Sequence, residues 1–133
     1  MLDRTAERAK AEEVGRRVRL RAAGPRQRTW RLSGGNQQKV MFARAVAGSP
    51  SVLLLDEPTR GVDVGAKFEI HALLREIAAK GASIVVSSSD HEELIALAGR
   101  IAILVRGRIN RIVPAEGLTP SALLALCCGE EPR

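Results

Sequence analysis

Two adjacent carboxylates, Asp56 and Glu57, follow an apolar run, Val52 to Leu55, and precede Pro58. The run is too short for a helix and suits a strand buried on both faces. Proline has no N–H for a ladder, so the strand stops there. The acids therefore sit at the carboxyl end of a strand, where open α/β sheets bind their ligands. Two acids at the mouth of a buried strand are costly unless a cation meets them. A hydrated Mg2+ carried by a nucleotide is such a partner. Standing alone, the pair reads equally well as a strand end with two solvated acids.

Upstream, Leu32 to Val40 reads LSGGNQQKV. Ser33, Gly34 and Gly35 make sense as an anion site. The glycines expose backbone N–H groups and allow close approach, and a helix behind them presents its positive end. Ser33 adds a hydroxyl donor. A lone SGG also suits an ordinary capped helix start. Downstream, Asp63 in Gly61-Val62-Asp63 reads by itself as a plain turn aspartate.

In this order and spacing, LSGG-x-Q, an apolar strand ending in DE-P and a GVD turn resemble the ATP-binding cassette of an ABC transporter. They correspond to its signature motif, its Walker B strand with the catalytic glutamate, and its D-loop. The wording LSGGNQQKV followed by LDEPTRGVDVGAK is similar to the second cassette of the double-cassette ATPases that drive monosaccharide importers of the ribose, galactose and xylose type. The resemblance runs from about Arg31 to about Arg108, and no single motif carries it.

The resemblance implies ATP hydrolysis coupled to sugar uptake, with ATP and Mg2+ held in an assembled cassette pair. It implies that Asp56 holds Mg2+ through water and that Glu57 orients and polarises the water attacking the γ-phosphate. Ser33, Gly34 and Gly35, supported by Gln37 or Gln38, would close over the γ-phosphate of ATP on the partner cassette. Asp63 would cross the dimer interface. The family's switch histidine follows the strand that here ends near Ser87. Ser89 stands at that place, with His91 two residues later, where an offset re-aims a side chain. Second cassettes often lack the histidine, so Ser89 fits the subgroup. Arg60, Lys67 and His71 read as surface residues. The implied partners are a second ATP-binding cassette and the membrane permease subunits, with a cytoplasmic location peripheral to the inner face of the cell membrane.

The elements that must position these residues are legible in outline. A helix from Leu2 to about Leu20 is rich in Ala, Glu and Arg and ends by Gly24-Pro25. Ser33 caps a helix from about Asn36 to Ala47. After the acid-tipped strand comes a helix from about Ala66 to Lys80, with Ile70, Leu73, Leu74 and Ile77 on one face and Gly81 as its C-terminal cap. Ser83 to Ser87 is a second short strand. Ser89 and Glu92 then read as a capping box for a helix through about Leu97. Ile101 to Val105 and Arg108 to Val113 read as a hairpin around Arg106-Gly107. Thr119-Pro120 opens a last helix, and Gly129 to Arg133 is expected to fray.

This rhythm argues for parallel strands with crossover helices. The expected fold class is α/β: a partial P-loop NTPase of the ABC cassette kind, a three-layer parallel sheet with flanking helices, lacking the P-loop strand. It forms a single partial domain. Residues 1–47 would hold the end of the helical subdomain and the signature helix, 48–113 the Walker B, D-loop and switch core, and 114–133 the C-terminal helix and tail.

Composition excludes several classes. The 133 residues are 45% hydrophobic with net charge +6, enough for one small core. No run of about 18 apolar residues offers a membrane span, and the charged start lacks the apolar stretch of a signal peptide. The arginines before the signature form a basic patch, but almost no aromatic residues accompany them, so nucleic acid is not an expected partner. LSGG also occurs in DNA-repair and chromosome-maintenance ATPases. Those carry long coiled coils before it, whereas the first 30 or so residues here show no sustained heptads. The adjacent Cys127 and Cys128 read as reduced thiols of a cytosolic protein.

No G-x-x-x-x-G-K-[ST] occurs. Lys39 does not supply one, since no glycine precedes it and no Ser or Thr follows. That motif provides most of the phosphate-holding donors. The chain is therefore expected to be the later half of one cassette, as a cloned fragment, a truncated gene or one piece of a split protein. It would be inactive alone, prone to associate, and with weak or no ATP binding of its own. The competing expectation is a non-catalytic remnant or interaction module that lends its signature to a partner's ATP site.

Overall fold

The computed structural model describes residues 3–129, and the chain divides into two compact units, Met1–Val85 and Val86–Arg133. The expected helix start at Leu2 and, Gly129 apart, the expected fraying at the carboxyl end lie outside the described residues.

In the first unit, α1 spans Arg4–Arg17. Asp3 caps it, its Oδ1 accepting from the N–H of Thr5 and Ala6 at 2.9 and 3.1 Å. The helix stops earlier than Gly24-Pro25 suggests, because Arg19 takes a left-handed φ of 53° and Leu20 N–H donates back to Gly15 O at 2.9 Å. After a 3-10 turn at Thr29–Arg31, α2 runs Gly34–Val46 and α3 runs Val64–Ala79. Both start two residues before the positions expected. Helix α2 packs on α1 and on α3. Val14, Phe42, Val46, Ile70, Leu73 and Leu74 are buried there. Gly81 follows α3 with φ 97°, the left-handed conformation that glycine takes without a Cβ clash.

Strands β1, Val52–Asp56, and β2, Ser83–Ser87, are hydrogen-bonded neighbours joined through α3. The helical crossover is the connection that a hairpin cannot provide. One expectation fails here. Strand β1 is not buried on both faces: Leu53 is 4% exposed, but Val52 and Leu54 are 54% and 76% exposed. Successive side chains point to opposite faces, and only one face of β1 is covered. A second expectation also fails. His71 is 5% exposed rather than a surface residue, because its position next to Ile70 carries it into the packed side of α3.

In the second unit, α4 spans His91–Leu97, β3 Arg100–Val105, β4 Arg108–Pro114 and α5 Pro120–Cys127. Strands β3 and β4 form an antiparallel hairpin whose register shifts between Ile103 and Leu104. Arg106 and Gly107 have φ 49° and 75°, the pair of positive values that a two-residue turn needs to match strand twist. Ile101, Ile103, Ala115, Leu123 and Leu126 form the core, with Leu94, Ile95 and Val113 against it. Thr119 caps α5, its Oγ1 accepting from Ala122 N–H at 3.2 Å.

The capping box expected from Ser89 and Glu92 is not formed. Asp90 caps α4 instead, its Oδ1 accepting from Glu93 N–H at 3.0 Å. The shift has a local cause. Ser88 Oγ donates to the Glu93 carboxylate at 2.5 Å and accepts from Asp90 N–H at 3.1 Å, which fixes the turn one residue further on. Glu93 is 1% exposed, a buried carboxylate with a partner.

The α/β class holds, with the strands in two separate two-stranded sheets, β1-β2 and β3-β4. Cys127 and Cys128 are free and exposed.

Candidate functional site

Ser33 is the N-cap of α2, yet its hydroxyl makes no capping hydrogen bond. The expected cap position is right and the expected bond is absent. Ser33 Oγ instead meets Asn36 Nδ2 at 2.9 Å. Asn36 Oδ1 accepts from the backbone N–H of Arg21 at 2.9 Å. Ser33 and Gly34 are exposed and Gly35 is buried.

The glycines are required by close approach. A Cβ on Gly35 would stand 2.5 Å from Ala66 Cβ, and one on Gly34 would stand 3.2 Å from Gly61 O. Real side chains do not come as close as the Gly35 contact, so α2 can lie against the start of α3 only with glycine at that position, whereas Gly34 is tight against Gly61 O but less strictly constrained. Asp63 is the N-cap of α3, with Oδ1 accepting from Ala66 N–H at 2.9 Å. Gly61 has φ 74°, which swings the chain into that cap.

The consequence is a shared cavity of about 200 Å3, with Ser33, Gly35, Asn36, Asp63 and Ala66 in its lining. Three of the residues singled out from sequence thus converge. Gln37 turns back along the chain, donating through Nε2 to Leu32 O at 2.9 Å, and so stitches the approach to Ser33.

The floor of the cavity is charged. Lys39 is 3% exposed; its Nζ donates to Arg19 O at 3.1 Å and pairs with Glu69 Oε2. Arg21 Nη2 pairs with Glu69 Oε1 at 3.1 Å. The hydrogen bond and charge of Lys39, helped by Arg21 and Arg19, hold the Glu69 carboxyl below the usual carboxylate range. Sequence reading missed Lys39, Glu69 and Asn36. A signal existed for Lys39, which shares α2's buried side with Phe42 and Val46 at helical spacing. A lysine there needs an anion beside it.

Asp56 and Glu57 do not line this cavity. Asp56 is exposed at the tip of β1. Glu57 has φ 46°, a left-handed backbone uncommon outside glycine, so the chain turns sharply as it leaves the strand. Its carbonyl accepts from Arg60 N–H at 3.2 Å, and Pro58 is buried behind it. Among the described residues no three His, Cys, Asp or Glu cluster as a metal cage. A single exposed carboxylate suits Mg2+, which takes one or two protein carboxylates beside water and phosphate oxygens.

Ser89 lies in the second unit, exposed, on the turn held by Ser88 and Asp90. His91 is the first residue of α4. Among the described residues no helix is long and apolar enough to cross a membrane.

Comparisons with known proteins bear on this site. A family model described as ABC transporter matches residues 2–60. The chain is 43% identical to the ribose import ATP-binding protein RbsA of Corynebacterium glutamicum, over 130 residues, which is 98% of this chain and 25% of that protein. It is 41% identical to the galactose/methyl galactoside import ATP-binding protein MglA of Escherichia coli, over 95% of this chain and 25% of that one. The chain thus spans about a quarter of the length of the curated relatives it matches. Among solved structures, the dimeric post-hydrolysis ATP-binding cassette MJ0796 with ADP and Pi superimposes with TM-score 0.74 at 28% identity, over 89% of this chain and 51% of that one. The fold is also that of a putative metal-chelate type ABC transporter, with TM-score 0.79 at 21% identity over 96% of this chain and 51% of that one.

Proposed function

Because this chain belongs to the ABC transporter ATP-binding family, we propose that it works as part of the ATP-hydrolysing subunit of a sugar importer. The observation that carries this reading is the convergence of Ser33, Gly35 and Asp63 on one cavity through a contact that tolerates no side chain at Gly35.

The reaction is attack of water on the γ-phosphorus of ATP, with the bond to ADP breaking and inorganic phosphate leaving. In this reading Asp56, at the tip of β1, would hold Mg2+ through water, and an ion held there would offset the charge of the phosphate. Glu57 accepts a hydrogen bond from the attacking water and orients it. Ser33 O–H and the N–H groups at the start of α2 meet the γ-phosphate of a nucleotide held by a second cassette. Their dipoles are already aligned, so they stabilise its charge without rearranging. Gln37 supports that turn, Asp63 faces the opposing cassette, and Ser89 stands where a γ-phosphate sensor belongs. Residues 1–47 would face the permease subunits, with the whole peripheral to the inner side of the membrane.

No P-loop lies within the 133 residues, so the phosphate cradle completing Glu57's own site must come from elsewhere. In a second reading, which the exposure of Ser33 at the cavity's edge also suits, the chain only lends its signature turn to a partner's ATP. One experiment separates the two. MgATP hydrolysis is measured for the chain alone, with a P-loop-bearing segment that completes its cassette, and for that pair carrying Glu57→Gln. The hydrolytic reading expects turnover only from the completed pair and its loss, by a factor of ~100 or more, with Gln. If Gln turns over like wild type, Glu57 is not the catalytic carboxylate and the second reading stands.

A further inference from the structure

We infer that Asn36 is a positioning residue that fixes which way the Ser33 hydroxyl points. The inference rests on the reading in which Ser33 meets a phosphate.

One backbone group here has no choice of polarity. Arg21 N–H can only donate, and it lies 2.9 Å from Asn36 Oδ1. The carbonyl side of the Asn36 amide must therefore face Arg21. That leaves the amide nitrogen facing Ser33 Oγ at 2.9 Å. An NH2 group only donates, so Ser33 Oγ is the acceptor there. The hydroxyl's single proton is left to point elsewhere. Ser33 is exposed and does not cap its own helix, and it borders the cavity shared with Asp63. Asn36 thus presents Ser33 as a donor, the polarity a phosphate oxygen needs.

The amide is itself held. The same 19–21 segment that supplies Arg21 N–H is anchored to α2 a second time, where buried Lys39 donates to Arg19 O at 3.1 Å. Asn36 and Lys39 lie three residues apart, on one side of α2. The path from the segment after α1 to the signature hydroxyl is therefore one continuous run of hydrogen bonds.

The test uses the full chain with a P-loop-bearing cassette whose own signature serine is replaced, so that MgATP turnover depends on the serine supplied by this chain. Ser33→Ala, Asn36→Ala and their double variant are compared, with circular dichroism as the check on folding. Ser33→Ala is expected to lower turnover about tenfold or more, and Asn36→Ala about threefold to tenfold. In the Ser33→Ala background Asn36→Ala is expected to do nothing further. Asn36→Asp keeps the acceptor for Arg21 N–H while turning the Ser33 proton inward. It should lower turnover more than Asn36→Ala does, with the fold unchanged.

A purely structural asparagine would give additive losses in the double variant, and that result overturns the inference. So does full activity of both Asn36 variants in the presence of Ser33. If Ser33→Ala alone is without effect, the reading on which the inference stands has failed with it, and the failure shows in that single variant.

Discussion

Gly35 and Ala66 are in contact so tight that a Cβ on the glycine would stand 2.5 Å from the alanine's own. The start of α2 and the start of α3 are locked together at this point. Gly35→Ala must push the two helices apart. Overpacking of this kind costs about 1–3 kcal/mol, read as a lower urea midpoint. Ala66→Gly in the same molecule should recover part of the loss, less about 1 kcal/mol for glycine in a helix. An unchanged midpoint in Gly35→Ala would show that the helices are not in contact there.

Asp63 has a local duty besides its place at the cavity, since its carboxylate caps α3. Asp63→Ala should lower stability by about 1 kcal/mol, whereas Asp63→Asn, an equally good cap, should stay within a few tenths. Chemical denaturation of the two variants separates them. Asn retains the cap but not the charge, so a loss of turnover with Asn alone reports the charge.

Glu69 predicts an acid limb. Its carboxyl is held below the usual range by Lys39 first and then Arg21. The unfolded chain, with an ordinary glutamate near pKa 4.3, therefore binds this proton more readily than the folded one. The stabilisation is present above that value and is lost as pH falls through the lowered folded pKa. Denaturant midpoints between pH 3 and 7 should show wild type above Glu69→Gln at neutral pH and the two converging in acid. A gap that does not narrow at all as pH falls below the ordinary glutamate value would remove the carboxylate from the account.

Strand β1 presents Val52 and Leu54 to solvent on one face, and Val85 of β2 is 58% exposed. Apolar strand surface of this sort promotes association. Sedimentation should show concentration-dependent self-association that Leu54→Lys reduces. A wild-type chain that stays monomeric at high concentration would contradict this.

Sequence alone carried a good part of the fold and less of the site. Strongly local signals, such as Thr119-Pro120 at α5 and the Arg106-Gly107 turn, were legible because turn and cap chemistry is decided within a few residues. The Ser89 cap was misread because Ser88, Ser89 and Asp90 are all residue types that can cap, and the bond from Ser88 to buried Glu93 on the same turn selects Asp90. Strand β1 was misread as fully buried because an apolar run does not say whether anything covers its second face. At the cavity, LSGG and GVD marked Ser33, Gly35 and Asp63. The Lys39–Glu69 pair joins residues 30 apart in sequence: helical spacing marks Lys39 as buried, but nothing local names Glu69 as its partner.

The central claim is that Ser33 serves a phosphate held by another cassette. It is tested by MgATP turnover of a P-loop-bearing cassette lacking its own signature serine, with this chain added. The account predicts that wild-type chain restores turnover and that the Ser33→Ala chain leaves it about tenfold lower or worse. Restoration by Ser33→Ala equal to wild type, or no restoration by either chain, would contradict it.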